Sequence, residues 1–329
     1  MNDNSYPLAK EQYAAFGVDT DAAIERALAI PISLHCWQAD DNIGFEGQDG
    51  VSGGGIMATG NYPGRARTVD EVRQDLAKSI SLIPGVSRVN VHAYYAEFED
   101  GFVDRDRLEP KHFRKWMDWA QQLGIGLDFN PSFHAHPKAD DGFTLSHADA
   151  AIRNFWIEHG KRARKIAEAM ADAQGTPCNL NFWVPDGAKD LVADRWTPRQ
   201  RLAESYDAIF ADTTIDESKC LDFVESKLFG IGSEEYVVGS HDFYTVYALT
   251  RNKGLTMDMG HYHPTETIHD KISCQLMGQQ KLLLHVSRPI RWDSDHVVIF
   301  NDDLKNVFLE IQRGNAWDNV VVALDFFDA

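Results

Sequence analysis

Two short apolar runs late in the sequence each lead into acidic and imidazole side chains. The first segment is LTMDMGHYHPTE, residues 255–266, and the second is LLLHVSRPIRWDSDH, residues 282–296. A stretch with helical periodicity, residues 265–277, connects them. A strand, a helix and a second strand in this order predict a βαβ unit with two parallel strands.

The same alternation extends along the whole chain. Eight short apolar runs alternate with helical patterns, at residues 30–37, 88–92, 126–130, 179–183, 221–227, 255–259, 281–286 and 319–325. Eight such repeats predict a closed (β/α)8 TIM barrel, an α/β fold, in one domain covering residues 1–329. An open doubly wound sheet is the alternative, but no Gly-rich phosphate-binding motif follows the first strand.

Two segments lie outside this repeat. We expect N-terminal helices within residues 7–29, where alanine-rich helical periodicity precedes the first strand. A long loop rich in glycine and aspartate covers residues 38–64. Loops of this length are usually functional, and this one follows a strand end, so we expect it to cover a substrate. A surface insertion is the alternative.

The composition limits the classes of partner. The 329 residues carry a formal net charge of −18, which disfavours nucleic acid and anionic membranes as partners but suits divalent cations. The four cysteines form no CxxC pair, which predicts reduced thiols rather than disulfides. No signal-peptide pattern and no membrane-spanning apolar run is visible, so we expect a cytoplasmic protein.

Acidic and imidazole side chains end four consecutive predicted strands. In a TIM barrel the functional groups lie at the C-terminal ends of the strands. The four residues are Glu225, Asp258, His285 and Asp325. Because neighbouring strands are about 4.8 Å apart, these side chains can converge on one divalent ion.

Loops on the same rim add His261, Asp293 and Asp295, which could hold a second ion. Any one of these residues alone is more often a helix cap, an ion pair or a satisfied core group. Seven of them on one rim favour metal binding, because clustered carboxylates without cations repel one another and raise each other's pKa.

Four further residues near strand ends have two interpretations each. Lys227 either pairs with Glu225 or polarises a substrate oxygen. His92 is either a core histidine or an acid–base group that acts on a sugar ring oxygen. Trp37 and Trp183 either pack in the core or bind the apolar face of a sugar.

The chain resembles the L-rhamnose isomerase family over essentially its whole length. Segments similar to that family include HCWQ, ATGNYPG, GLDFNPS, DGFTLSHAD, VESKLFGIG, LLLHVSRP and LDFFDA. Matches this long and this dispersed are more specific than one short motif. The barrel also resembles that of xylose isomerase, whose E-x-K strand end compares with residues 225–227.

The resemblance implies two metal positions, one held by Glu225, Asp258, His285 and Asp325 and the other by His261, Asp293 and Asp295. It implies Mn²⁺ as the usual ion, with Zn²⁺, Co²⁺ or Mg²⁺ as alternatives, and a homotetrameric cytoplasmic enzyme. The reaction would interconvert L-rhamnose and L-rhamnulose in rhamnose catabolism. Family members continue past DFFDA, so we expect this sequence to lack the final barrel helix and a C-terminal helical extension.

The implied reaction moves hydrogen between C1 and C2 of the open-chain sugar. It does so either as a hydride or through an enediol, with Asp325 or a metal-bound hydroxide as the base. Lys227 would stabilise charge on a substrate oxygen, and His92 would assist ring opening. Two other functions stay open. A metal-dependent hydrolase or endonuclease would need a basic groove, and an inactive remnant would only bind sugar or metal.

Overall fold

The chain begins with two helices that precede the barrel. The computed structural model describes residues 5–40, 44–46, 66–230, 232–278 and 281–326. Helix α1 covers Ser5–Ala14 and helix α2 covers Thr20–Leu28. Gly17, in the left-handed region at φ 78°, lies between them and breaks the helical segment expected within 7–29.

Eight parallel strands close into a barrel in sequence order, which confirms the predicted fold. Closure occurs where Ile32 of the first strand lies opposite both Ser87 and Val322. The strands are β1 (Ile32–His35), β2 (Ser87–His92), β3 (Gly126–Asn130), β4 (Cys178–Trp183), β5 (Cys220–Glu225), β6 (Gly254–Asp258), β7 (Leu282–Val286) and β8 (Val320–Leu324).

One helix follows each of the first seven strands. They are α3 (Val69–Ile80), α4 (Arg114–Leu123), α5 (Ala150–Gln174), α6 (Trp196–Phe210), α7 (His241–Arg251), α8 (His269–Leu276) and α9 (Asp302–Arg313). Local signals set their ends. The Thr68 and Ser240 side chains cap the first turns of α3 and α7. Gly124 and Gly175, both at positive φ, end α4 and α5.

The barrel strands are buried on both faces. Every residue of β2 and of β7 is buried, because the helices cover the outside and side chains fill the inside. The predicted strand 221–227 ends earlier, at Glu225, because the Lys227 N–H donates to the Gly239 carbonyl at 3.2 Å. Lys227 therefore lies in the loop above the strand, on the C-terminal rim.

The loops that follow β4 and β5 pair with each other. Gly187–Ala188 and Tyr236–Val237 form a short antiparallel sheet above the rim. Of the long loop predicted at 38–64, only residues 38–40 and 44–46 are described. Most of that loop, and with it the substrate-covering role, lies outside the described residues.

Two other sequence-based expectations concern helices and thiols. Among the described residues, no helix is both long and apolar enough to cross a bilayer. All four cysteines are free, and three of them, Cys36, Cys178 and Cys220, are buried.

Buried ion pairs brace the lower half of the barrel. Asp128 of β3 accepts from Arg88 of β2 at 2.7 Å and from Ser33 of β1 at 2.8 Å. On the outside of β5, Asp222 accepts from both Arg164 of α5 and Lys253 at 3.0 Å. Each carboxylate thus neutralises a buried cation and ties elements that are distant in sequence.

We expect Asp222→Ala to lower the free energy of unfolding by about 3–5 kcal/mol, because it removes the buried counter-charge of Arg164 and leaves only the exposed carboxylate of Glu217, at 3.6 Å. The exposed pair of Asp172 and Lys219 gives the matched control. Asp172→Ala should have a much smaller effect, because solvent screens that pair. Urea denaturation followed by circular dichroism compares the two, and equal losses of stability would contradict the assignment.

Candidate active site

Strands β5 to β8 bring four predicted ligands together. Ligand atoms of Glu225, Asp258, His285 and Asp325 all lie within 4.8 Å of one another. His285 Nδ1 is 2.9 Å from both Glu225 Oε1 and Asp325 Oδ2, and 3.6 Å from Asp258 Oδ2. The register explains this convergence, since Asp258 and His285 are direct neighbours on adjacent strands. We call these four residues the first cluster.

A second cluster shares Asp258 with the first. Asp258, His261 and Asp293 also offer ligand atoms within 4.8 Å of one another. His261 Nε2 lies 3.1 Å from Asp293 Oδ2, and His261 Nδ1 lies 3.6 Å from Glu225 Oε1. Asp295 is not a member of this group of three, but its carboxyl group hydrogen-bonds that of Asp293.

Gly260 allows the second cluster to form. Its N–H donates to Asp258 Oδ1 at 2.6 Å. A Cβ atom at this position would overlap Asp293 Oδ1 and lie 3.2 Å from Asp258 Oδ1. The glycine of the GHYHP segment is therefore required for the close approach of the two carboxylates.

The clusters perturb the pKa values of their members. Burial lowers the pKa of His261, but the carboxylates of Asp258 and Asp293 outweigh it and raise that pKa to about 10. In the same way, Glu225 and Asp325 overcome burial and raise the pKa of His285. Burial raises the pKa of Asp258 to about 6. The neighbouring carboxylates therefore favour the doubly protonated, cationic form of both imidazoles when no cation is bound.

Unpartnered buried atoms test whether these residues fit a metal ion. Within the described part of the chain, Asp293 Oδ1, Asp325 Oδ1 and His261 Nδ1 are buried and have no hydrogen-bond partner. Such atoms cost stability unless something satisfies them. Carboxylate oxygens and imidazole nitrogens are ligands of divalent cations such as Mn²⁺, Mg²⁺ and Zn²⁺, so the donor set fits.

A cavity of about 780 Å³ opens beside the second cluster. Its lining includes Trp183, Lys227, Phe229, His261, Trp292 and Asp293. Pockets of 300–1,000 Å³ typically hold small molecules, and aromatic side chains beside charged and hydrogen-bonding groups suit a sugar. The Lys227 ammonium donates to Ser233 Oγ at 3.0 Å, and burial lowers its pKa to about 8.

Comparison with protein families matches residues 1–329 to L-rhamnose isomerase (RhaA). The chain belongs to the L-rhamnose isomerase family. The L-rhamnose isomerase of Rhodopirellula baltica is 58% identical over 327 residues, which are 99% of this chain and 76% of that protein. That of Citrobacter koseri is 50% identical over 327 residues, 99% of this chain and 78% of its own length.

Solved structures agree on the fold. A D-tagatose 3-epimerase-like protein superposes with a TM-score of 0.57 at 10% identity, covering 91% of both chains. An L-ribulose 3-epimerase superposes with a TM-score of 0.54 at 12% identity, covering 91% of this chain and 82% of its own. At this identity the likeness shows the barrel alone.

Membership of the family gives the reaction, the isomerisation of L-rhamnose in rhamnose metabolism. The family also implies a divalent metal, and the two clusters are its candidate ligands. The seven ligands expected from the sequence all lie at this rim. Three residues that sequence reasoning did not single out also hold or contact the clusters: His35, Asn181 and Thr256.

Asn181 and Thr256 orient Glu225. Asn181 Nδ2 donates to Glu225 Oε2 at 2.6 Å, and the Thr256 hydroxyl donates to Asn181 Oδ1 at 2.7 Å. The Glu225 carboxylate can only accept hydrogen bonds, so the NH2 end of the Asn181 amide must face it. The carbonyl end of that amide then faces Thr256, whose hydroxyl must donate. This relay across β6, β4 and β5 points Glu225 Oε1 at the histidines of both clusters.

His35 connects the first cluster to His92. Its Nδ1 lies 3.2 Å from His92 Nε2 and 3.8 Å from Asp325 Oδ1. Trp37 Nε1 donates to His35 Nδ1 at 2.8 Å. Since His35 Nδ1 accepts this bond with its lone pair, the proton of the neutral His35 ring is on Nε2. His92 and Trp37 are therefore tied to the rim through one imidazole, while Trp183 reaches the cavity.

We expect Thr256→Val to weaken divalent-metal binding by about 10–100-fold, because the Asn181 amide loses the hydrogen bond that holds it against Glu225. Thr256→Ser keeps the hydroxyl and should retain affinity. Titration calorimetry with Mn²⁺ measures both variants, and circular dichroism checks that they fold. Equal affinities of the two variants would show that the relay does not orient Glu225.

Proposed function

We propose that the rim binds two divalent cations, with Mn²⁺ as the preferred ion, and that both serve the isomerisation of L-rhamnose to L-rhamnulose. The observation that carries this proposal is that the two clusters share Asp258 and contain buried carboxylate oxygens with no hydrogen-bond partner among the residues that the structure describes. Glu225, Asp258, His285 and Asp325 would hold the first ion. His261, Asp293 and Asp295 would hold the second.

The protein residues have distinct roles in this proposal. When bound, the ions would supply Lewis-acid polarisation of the C1–C2 unit of the open-chain sugar. Lys227 lines the cavity with Asp293, and its ammonium donates a hydrogen bond to a substrate oxygen where negative charge develops. Asp325 is a carboxyl group whose pKa burial raises, so it can hold a proton during the transfer between C1 and C2.

Aromatic and imidazole groups complete the site. Trp183 lines the cavity, where its ring would pack on the apolar face of the sugar. Trp37 is buried and donates a hydrogen bond to His35, so it would hold that imidazole in place at the rim. A contact between Trp37 and the sugar stays a prediction. Burial lowers the pKa of His92, so a neutral imidazole would exchange the proton of the ring oxygen when the sugar ring opens.

We also propose that the enzyme is a cytoplasmic homotetramer. The free thiols of all four cysteines support a reducing compartment. Exposed apolar side chains in the N-terminal segment, Leu8 and Tyr13 of α1, Phe16 of the turn that follows and Ile24 of α2, support a contact between subunits.

We expect L-rhamnulose formation to stop when the protein is treated with EDTA and to return when Mn²⁺ is added. Asp293→Asn should lower kcat by roughly a thousand-fold, because it removes a ligand whose cation would contribute several kcal/mol of charge stabilisation. The exposed Asp270, changed to Asn in the same way, is the control and should retain activity. Full turnover by metal-depleted protein or by Asp293→Asn would refute the proposal.

We expect metal binding at pH 7 to release on the order of two protons per protein, because the raised pKa values of His261 and His285 keep both rings protonated until a cation displaces the protons. Affinity should therefore fall as the pH falls. Calorimetric titration with Mn²⁺ in two buffers of different ionisation enthalpy counts the protons. Identical observed enthalpies in both buffers would show that no proton leaves.

A further inference from the structure

His134 lies on the rim between two residues assigned to the substrate. It follows β3 by four positions, in the loop that leads to α5. Its ring centroid is 6.5 Å from that of His92 and 5.5 Å from that of Trp183, with both ring pairs close to perpendicular. His134 thus stands opposite the metal clusters, which come from β5 to β8.

The loop that carries His134 is held in a strained conformation. Ser132 and Ala135 both have left-handed backbones, with φ of 61° and 52°. The guanidinium of Arg105, a fully buried side chain, donates to the carbonyl oxygens of Ser132, His134 and Ala135 at 2.5, 2.6 and 3.0 Å. Strain that several contacts maintain is typical of positions where one side chain must be placed for function.

The imidazole of His134 has no polar partner. The residue is 5% exposed, and within the described residues neither ring nitrogen forms a hydrogen bond. Burial lowers its pKa to about 3, so the ring is neutral and offers one donor and one acceptor. Asp293 Oδ1 and Asp325 Oδ1, which belong to the clusters, share this combination of burial and missing partners.

The next histidine in the same loop shows what a structural imidazole looks like here. His136 Nε2 contacts Asp104 Oδ1 at 2.9 Å, and its Nδ1 accepts from the Lys138 N–H at 3.1 Å. Both nitrogens of His136 are satisfied within the protein, as is usual for a buried polar side chain. The absence of such bonds at His134 therefore needs another explanation.

We propose that His134 is a further substrate-binding residue, which hydrogen-bonds a hydroxyl group of the bound sugar between His92 and Trp183. A polyol fits this position because each hydroxyl donates and accepts, matching the two kinds of nitrogen in a neutral imidazole. The inference rests on the proposed isomerase site, since it takes the open-chain sugar as the ligand. His134 contributes specificity, because an analogue that lacks the contacted hydroxyl leaves the imidazole unpaired.

His134→Phe tests this inference, because phenylalanine keeps the aromatic contacts and removes both nitrogens. With L-rhamnose and Mn²⁺, we expect KM to rise about tenfold, the loss of one hydrogen bond, with a smaller change in kcat. The melting temperature should stay the same or rise, because two unsatisfied buried atoms are removed. His134→Gln, which retains a donor and an acceptor, should recover part of the affinity.

His136→Phe is the matched control. It should lower the melting temperature, because Asp104 and the Lys138 N–H each lose their hydrogen bond to the imidazole, and it should leave KM unchanged. If His134→Phe instead lowers the melting temperature and leaves KM unchanged, His134 is structural and the proposal fails. Should His134→Phe not fold, the comparison of His134→Gln with His134→Leu gives the same contrast.

Monodeoxy analogues of L-rhamnose identify the hydroxyl. The penalty of His134→Phe should disappear for one analogue and persist for the others, and an equal penalty for all would refute a hydrogen bond. Binding of L-rhamnitol, which cannot isomerise, separates this test from that of the activity. If wild-type protein binds L-rhamnitol without turning over L-rhamnose, the proposed function fails, while the dissociation constants of the variants still decide the role of His134.

Discussion

The organisation of the site depends on the repulsion between carboxylates that the closed barrel holds together. Glu225, Asp258 and Asp325 end or follow strands β5, β6 and β8, and their ligand atoms lie within 4.8 Å of one another. Without a cation, protons on His261 and His285 provide the compensating positive charge, which is why both pKa values rise. In the proposed site, protons and metal ions would therefore compete for the same side chains, and metal binding would displace the protons.

The positions of the first-cluster residues could be predicted because parallel strands bring their C-terminal ends to one edge. A carboxylate or imidazole at the end of each apolar run, as at Glu225 and His285, must then face the same rim once the barrel closes. The alternation of strands and helices predicted the barrel for the same reason. Asp293 and Asp295 lie in a loop, and the sequence places them on the same rim because that loop follows a strand end; the family resemblance implies the same position.

The supporting contacts could not be predicted, because they depend on the register between strands that are distant in sequence. Asn181 lies within β4, and no sequence motif marks it. Its side chain nevertheless accepts a hydrogen bond from Thr256 of β6 and donates one to Glu225 of β5. The break at Gly17 and the small sheet above the rim also depend on local φ and on loop pairing, which hydrophobic periodicity does not report. His134 has the sequence context of an ordinary loop histidine, and only the structure shows that its buried ring nitrogens have no hydrogen-bond partner among the described residues.

The two ends of the barrel differ in whether their buried polar groups have hydrogen-bond partners within the described residues. At the lower end Arg88 and Asp128 form a charged hydrogen bond with each other, so the cost of burying each charge is offset by its partner. At the rim, polar atoms of Asp293, Asp325 and His134 are buried and have no hydrogen-bond partner within the described part of the chain, which costs free energy in the unliganded protein. A folded protein retains such a free-energy cost where the binding of a ligand offsets it. This is the usual trade-off between stability and activity. His134 and His136 are both buried histidines of one loop, so residue type does not distinguish them. They differ in whether their ring nitrogens have hydrogen-bond partners within the described residues.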